Sequence, residues 1–184
     1  MLITHWGLSG PAILKLSAWA ARELEVCNYH FDIKINFLAN LSSDQVEQAL
    51  QALKKNEAKR LVSHRLYLGF PLRLWQSLVA SCGINDQVRW VDLNNDQMAA
   101  LRNVITGAVF AVRGKSTFKE EFVTAGGIAL NEVDFKTAQS KRMPGLYFAG
   151  ECLNIDGITG GFNFQAAWTL GMHAGSAMAG KPLA

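Results

Sequence analysis

The sequence predicts an α+β protein, and three stretches of the chain carry that prediction. Residues 31–37 alternate strictly between apolar and polar side chains, which is typical of a half-buried β-strand. Residues 42–107 carry apolar positions at helical spacing behind helix-capping residues, which predicts a compact helical subdomain. Residues 145–165 run from an apolar strand through a glycine-rich turn into a long helix. Shorter strands between these stretches complete the mixed fold.

The predicted helices follow from their start and stop signals. Ser9 or Gly10 caps the first helix, and Pro11 suits its first turn because the missing N–H is not needed there. In the helical subdomain, Ser42 and Gln45 form a capping-box pattern that starts another helix. Three more are expected in that subdomain: one on Leu61, Leu66 and Leu68 that stops before Pro71, one from Pro71 to Gly83, and one from Asn94 or Asn95 to Gly107.

After the helical subdomain, short strands are expected at residues 109–112, 118–124 and 145–149. The last of these is apolar throughout, which predicts a strand that is covered on both faces. A long helix is expected over residues 160–180. Small residues recur every four positions on one face of this helix, which would let it lie close to a sheet or another helix: Ala167, Gly171, Gly175 and Ala179.

Composition limits the class of protein. The chain has 184 residues, 49% of them hydrophobic, which suffices for a core and argues against disorder. The formal charge of +3 does not by itself indicate nucleic acid. The three cysteines form no C-x-x-C pair, which argues against a metal site and favours a reducing, cytoplasmic location. The sequence has neither a signal-peptide pattern nor a run of about 18 apolar residues, so no membrane span is expected.

The closing turn is the strongest candidate for a ligand site. Gly160 and Gly161 remove side chains where the backbone would approach a ligand closely. The first N–H groups of the helix have no partners within it and carry partial positive charge. Glu151, at the end of the preceding strand, can accept hydrogen bonds from sugar hydroxyls, and Asp156 can do the same or cap the turn. The pattern predicts a polar, partly anionic ligand, with a ligand-free strand–helix connection as the alternative.

Four sequence motifs resemble those of one known family. Thr4–Ala12 stands near the start of the chain, and Val123–Ile128, Ser140–Glu151 and Asp156–Gln165 stand near its end. Together they resemble the aminoacetone-oxidase-like (YhiN-type) family of bacterial FAD-binding flavoproteins, in the family's order. No G-x-G-x-x-G turn, which holds pyrophosphate in dinucleotide-binding folds, occurs in these 184 residues. The chain therefore looks like the C-terminal part of such a flavoprotein, without the N-terminal Rossmann half.

The resemblance implies a fold and a set of site residues. The implied fold is a partial β-barrel-like inserted domain with a helical subdomain, followed by the C-terminal strand–helix return segment of a Rossmann-type FAD domain. The implied divisions are residues 1–41 and 108–125 for the inserted domain, 42–107 for its helical subdomain, and 126–184 for the FAD-domain segment. The implied FAD contacts are Gly150 and Glu151 by the ribitol, Gly160, Gly161, Phe162 and Asn163 by the isoalloxazine, and Thr124, Gly126 and Gly127 near the flavin. The sequence departs from the family pattern at Asn154, where Asp is more usual, and at Phe162, where Tyr is frequent.

The resemblance also implies a function. The whole protein would be a cytoplasmic FAD-dependent oxidoreductase acting on a small-molecule substrate, with NAD(P)H as a further candidate partner. The alternative is a non-catalytic fragment or interaction module that does not hold FAD by itself. Surfaces that the missing half leaves uncovered would favour self-association.

Two residues near these motifs have both a catalytic and a structural interpretation. His5 beside Trp6 is a candidate acid–base residue, and a structural histidine in a turn is the favoured alternative. Cys152 follows Glu151, but a reactive thiol normally has a partner cysteine or an electropositive setting. We therefore expect Cys152 to be a packing residue.

The helical subdomain is basic, with Lys54, Lys55, Lys59, Arg60, His64, Arg65 and Arg73 close together in the sequence. Such a run can mark a nucleic-acid surface or simply a solvated helix face. No nucleic-acid motif accompanies it, and Glu47 and Glu57 interrupt it. The favoured expectation is a solvated face, with nucleic-acid binding as the weaker alternative.

Overall fold

The chain forms two compact units in a computed structural model that describes residues 1–116 and 123–181. We call Phe31–Arg113 the helical unit. Met1–His30 and Gly114–Ala184 together make the second unit, which we call the split unit because its two segments flank the helical unit in the sequence.

Short strands and helices alternate along the described residues, which makes the fold a mixed α and β one. In chain order the elements are β1 Leu2–Ile3, β2 Leu8–Ser9, α1 Pro11–Trp19, α2 Ala21–Val26, β3 His30–Ile35, α3 Ser43–Asn56, α4 Leu72–Ser81, α5 Asn95–Gly107, β4 Ala108–Arg113, β5 Val133–Asp134, β6 Gln139–Ser140 and α6 Phe162–Met178. The strands pair as β1 with β2, β3 with β4, and β5 with β6. Within residues 1–116 and 123–181 these are two-stranded sheets, and no barrel closes.

Local caps fix the helices of the helical unit. Ser42 Oγ accepts from the Gln45 backbone N–H at 3.2 Å, and Gln45 Oε1 accepts from the Ser42 N–H at 2.8 Å. Asn94 and Gln97 form the same reciprocal pair at the start of α5. Each pair satisfies two N–H groups that the helix cannot bond internally. The capping-box helix, the helix from Pro71 and the helix from Asn94 or Asn95 are confirmed.

Aromatic side chains fill the centre of the helical unit. Trp75 and Trp90 are fully buried and stack with ring centroids 6.2 Å apart. Tyr67 meets both indoles edge-on, at 5.7 Å from Trp75 and 5.2 Å from Trp90. Trp75 Nε1 donates to the Val62 carbonyl oxygen at 2.7 Å, so this indole is buried without leaving its N–H unpaired. The unit thus has a core of its own.

The helix predicted on Leu61, Leu66 and Leu68 is wrong. Leu61 forms an antiparallel bridge with Arg89, and the Val62 N–H donates to the Val88 carbonyl at 2.9 Å. Leu68 has a left-handed φ of 53°, which a helix does not allow. Pairing with residues 88–90, more than 20 positions away, therefore overrides the weak helical spacing of three leucines.

The split unit has a much smaller core. Among the described residues of this unit, five buried ones form the core: Val133, Ala138, Leu153, Leu170 and Ala174. Neither α1 nor α2 buries a residue. The start of α1 is as predicted, with Gly10 as its N-cap and proline in its first turn.

Three expectations about the split unit have different outcomes. Residues 145–149 are not a strand covered on both faces, because only Tyr147 forms a bridge, to Gln139, and Leu146 is 41% exposed. The described chain offers this segment a partner on one side only. The predicted strand at 118–124 lies mostly outside the described residues. The long helix is confirmed, but Gly171 and Gly175 on its small-residue face have open space in front of them.

Candidate functional site

Two distant stretches of the split unit meet by parallel pairing. Ile128 bridges Leu153, its N–H donates to the Cys152 carbonyl at 3.0 Å, and the Asn154 N–H donates back to the Ile128 carbonyl at 3.0 Å. A Cβ on Gly127 would stand 2.6 Å from the Leu153 carbonyl carbon, a distance that no side chain tolerates. Glycine is therefore required at 127, and the pairing brings it beside the turn that carries Glu151.

A side-chain clamp holds the glycine-rich loop against the start of α6. Asn163 Oδ1 accepts from the Gly157 N–H at 2.7 Å, and Asn163 Nδ2 donates to the Gly157 carbonyl at 2.8 Å. Between these residues, Gly160 and Gly161 have φ values of 136° and 87°, which only glycine adopts easily. Asn163 was predicted to contact the isoalloxazine. In the structure, both the oxygen and the nitrogen of its side-chain amide bond to Gly157 and shape the loop.

The start of α6 is open. Gly161 is its N-cap, no side chain caps it, and no acidic residue lies in its first turn. The first N–H groups of α6 therefore carry a partial positive charge that no side chain offsets, and they are available to bind a ligand. A Cβ at Gly126, Gly150 or Gly161 would meet nothing within 4 Å, although all three have positive φ. These glycines shape the backbone and also leave space in front of it.

A hollow of about 460 Å³ lies against the side of α6. Its lining includes Phe135, Ile155, Phe162, Gln165, Thr169 and His173. His173 Nδ1 lies 2.9 Å from the Phe135 carbonyl oxygen, so this nitrogen carries the proton in that bond. Gln165 Nε2 donates to Thr169 Oγ1 at 3.0 Å. The lining of the hollow is therefore apolar except for one row of polar side chains, Gln165, Thr169 and His173.

Sequence reasoning gave Thr169 and His173 no functional role. The signal was available, because residues 165, 169 and 173 are spaced by four and form a polar row on an otherwise apolar helix. Phe162, which the resemblance places by the isoalloxazine, lies in the same hollow. Thr124, Glu151 and Asp156 stand on the two loops leading to this region, with Thr124 and Glu151 exposed and Asp156 half-buried.

The remaining candidates lie in the same unit. His5 is exposed in the turn between β1 and β2, where the Thr4 N–H donates to the Gly7 carbonyl at 2.9 Å. Its ring meets that of Trp6 edge-on at 6.1 Å. Asn154, where the resembled family more often has Asp, accepts a hydrogen bond from Arg22 Nη2 at 2.8 Å.

Some classes of site are absent from the described residues. Over residues 1–116 and 123–181, no cluster of three or more His, Cys, Asp or Glu side chains is placed to hold a metal ion. No helix in the same ranges is long and apolar enough to cross a membrane. The three cysteines are unpaired, and the thiol of Cys152 donates to the Ala149 carbonyl at 3.3 Å.

Comparison with known proteins decides the family. Residues 1–123 match the family model described as "HI0933-like protein barrel and H2TH domain". The chain belongs to the HI0933-like family. This family is a flavoprotein family associated with FAD.

The chain is also similar to three characterised bacterial proteins. It is 32% identical to the ribosomal RNA dihydrouridine synthase of Escherichia coli over 92% of this chain and 40% of that protein. It is 29% identical to the Haemophilus influenzae protein of the same name, over 92% of this chain and 39% of the relative. It is also 29% identical to the 3-dehydro-bile acid delta(4,6)-reductase of Clostridium scindens, over 99% of this chain and 44% of the relative.

The chain thus spans less than half the length of these relatives. The relatives are named for reactions on ribosomal RNA and a bile acid, not for aminoacetone oxidation. The HI0933-like assignment is therefore shown, whereas the finer likeness to aminoacetone oxidases stays a prediction.

Proposed function

We propose that this chain supplies the flavin-ring side of the active site in a larger FAD-dependent reductase. The observation that carries the proposal is the open start of α6, where Gly161 is the cap and no side chain competes for the free N–H groups. Parallel pairing of Ile128 with Leu153 adds Gly126 and Gly127 to the same part of the split unit. A second loop, from Gly150 to Gly161, leads directly into the helix.

The residues present fit one side of a flavin. The isoalloxazine is a flat apolar ring with one polar edge, and cofactor sites are mostly apolar with a few placed polar groups. The hollow beside α6 has this composition, with Phe162 and Ile155 as walls and the Gln165–Thr169–His173 row as polar groups. Positive charge at the helix start favours a reduced, anionic ring. When bound, FAD supplies hydride transfer, and the protein supplies orientation and electrostatics.

The relatives support reduction as the reaction class. Dihydrouridine carries two more hydrogens than uridine, and a reductase adds hydrogens to its substrate. We therefore assign the whole protein to reductases, with NAD(P)H as the source of hydride. The unpaired cysteines are consistent with the cytoplasm as the proposed location.

The alternative proposal is a non-catalytic interaction module. It is favoured by the apolar side chains on α6, where Phe164 is 62% and Trp168 is 70% exposed. In the reductase, further polypeptide covers this face and grips the FAD pyrophosphate. In the module, a second copy of the chain covers it. Both proposals expect self-association of the isolated chain.

An FAD titration distinguishes the reductase proposal from the interaction-module proposal. We expect purified chain to bind added FAD weakly but saturably, seen as a difference spectrum in the visible flavin bands. Gly161→Ala adds a methyl group to the open start of α6 and is expected to abolish the spectrum. Gly83→Ala is the matched control, since Gly83 also has positive φ (69°) and open space but lies in the helical unit. An absent spectrum, or one that both variants change equally, would favour the interaction module.

A further inference from the structure

The helical unit carries a second hollow, separate from the one beside α6. It measures about 560 Å³, and its lining includes Leu53, Glu57, His64, Arg65, Leu66 and Leu72. Leu53 lies near the end of α3, Leu72 begins α4, and the others lie on the segment between these two helices. The hollow therefore belongs to the segment that was predicted as a helix and instead pairs with residues 88–90.

Leucine side chains form the apolar part of this lining. Leu66 is 66% exposed, Leu72 is 39% exposed, and Leu53 is half-buried. A single exposed leucine is ordinary on a protein surface, whereas several around one hollow form a patch that suits the apolar side chains of a partner. This patch distinguishes the surface from the solvated helix face expected from the sequence, because solvation gives no reason for three leucines there.

Basic side chains dominate the same segment. Residues 57–73 contain four Lys and Arg residues but one carboxylate, that of Glu57. Glu57 Oε2 lies 2.6 Å from Arg60 Nε and 3.4 Å from Arg65 Nη1, and the two arginine side chains remain 57% and 51% exposed. Because a guanidinium has five N–H donors, each arginine can bind a further carboxylate while it keeps its contact with Glu57.

The lining favours a peptide over a nucleic acid, which was the weaker alternative from the sequence. Bases of a single strand stack on exposed aromatic rings. Tyr67, which also lines the hollow, is 6% exposed and offers almost no ring surface. The His64 imidazole is the exposed ring among the lining residues, and it is a small stacking surface beside three leucines. Aliphatic side chains with carboxylates nearby match the leucines and the arginines together.

We propose that this hollow docks an acidic amphipathic segment of a partner protein. Aliphatic side chains of the segment enter the hollow against Leu53, Leu66 and Leu72. Its carboxylates pair with Arg60 and Arg65. An amphipathic helix laid into an apolar groove is a common mode of recognition, and complementary charge around the groove fixes its register. The inference does not depend on the flavin site, because it uses residues of the helical unit alone.

The first test is fluorescence anisotropy of a labelled peptide of leucine and glutamate at helical spacing, with the full chain and without FAD. We expect saturable binding that weakens as salt is added. A peptide with serine for leucine, and one with glutamine for glutamate, should each bind at least about fivefold more weakly. No binding of the parent peptide at low salt would overturn the proposal. Equal binding of either altered peptide would overturn it too, since charge alone or apolar contact alone would then suffice.

The second test locates the peptide on the chain. Arg65→Gln and Leu66→Ser should each weaken binding by about threefold to fivefold without lowering the melting temperature, because both side chains are exposed. Arg102→Gln is the matched charge control, since Arg102 pairs with Glu47 instead. Val109→Ser is the matched apolar control, since Val109 is 63% exposed on β4. Equal losses in variants and controls would overturn the proposed location.

An oligouridylate titration decides between the two classes of partner. We expect the affinity for oligouridylate to be lower than the affinity for the peptide at the same salt concentration, and Leu66→Ser to leave it unchanged. Tighter binding of oligouridylate that Arg65→Gln and Leu66→Ser both weaken would overturn the peptide and assign the hollow to a nucleic acid.

Discussion

The two units of this chain bury apolar residues very differently. The core of the helical unit contains 14 buried residues, whereas the core formed by the described part of the split unit contains five. Large exposed hydrophobic residues show the opposite distribution, with five in the helical unit and 15 in the described part of the split unit. Burial of apolar surface is the main stabilising contribution to folding. We therefore expect the helical unit to be the more stable of the two, and we propose that a further partner covers the split unit.

The difference also bears on the flavin site that we propose. The split unit has an open helix start and open space before several glycines, as expected of one side of a shared site. The chain spans less than half the length of the relatives that it matches, and the cover by further polypeptide is part of our proposal.

The largest expected effect compares one tryptophan from each unit. Trp75 is fully buried and donates to Val62, so Trp75→Ala should destabilise the helical unit by about 3–5 kcal/mol. Trp168 is 70% exposed, so Trp168→Ala should change stability by less than about 0.5 kcal/mol. Urea unfolding followed by circular dichroism measures both. Similar losses in the two variants would show that the split unit already buries α6.

The next effect tests the pairing that builds the candidate flavin site. Gly127→Ala forces a methyl group into the backbone of Leu153, whereas Gly126→Ala has a similar positive φ with nothing in its way. We expect Gly127→Ala to lower the free energy of unfolding by about 1–3 kcal/mol more than Gly126→Ala does. These substitutions are compared by hydrogen exchange of the Ile128 and Asn154 amides, which should exchange faster in Gly127→Ala because the pairing is weakened. Equal exchange rates in the two variants would contradict the parallel pairing.

Local signals in the sequence predicted the mixed fold class and several of the helices. Ser42 with Gln45, and proline after Gly10, fix helix starts within a few residues, so sequence alone suffices there. The segment around Leu61 was mispredicted because its partners lie at 88–90. The segment 145–149 was mispredicted as a strand covered on both faces because apolar composition does not show how many neighbours a segment has; among the described residues it pairs with 138–140.

The candidate site rests partly on local patterns and partly on the resemblance, and its role in binding stays a prediction. The glycine-rich turn and Glu151 follow from local patterns, and the resemblance added Gly126 and Gly127. The contact between Gly127 and Leu153 could not be read from the sequence, because 26 positions separate the two residues.

A smaller effect tests how the helical unit holds its helices. Ser42→Ala removes an N-cap from α3 and should lower the stability of that unit by about 1 kcal/mol. Ser43→Ala changes the neighbouring exposed serine, which is not the cap, and should have little effect. Urea midpoints compare the two. An unchanged urea midpoint in Ser42→Ala would mean that packing, and not the N-cap, stabilises the start of α3.

The smallest effect is a pH dependence at the surface of the helical unit. A hydrogen bond from Arg89 holds the pKa of the Asp92 carboxyl below its usual range. A lowered folded-state pKa stabilises the fold above the unfolded-state pKa, and this stabilisation is lost as the pH falls through the folded-state value. Asp92→Asn should therefore slightly flatten the acid side of the stability profile. An unchanged profile would show that solvent screens the pair completely.

The central claim is that the helical unit has a core of its own, whereas we propose that flavin and further polypeptide complete the split unit. Hydrogen exchange followed by mass spectrometry, with and without FAD, tests it most directly. We predict slow exchange in α3, α4 and α5 under both conditions, and fast exchange in residues 123–128 and 150–163 that slows when FAD is added. Equal protection of the two units without FAD, with no change on its addition, would contradict the account.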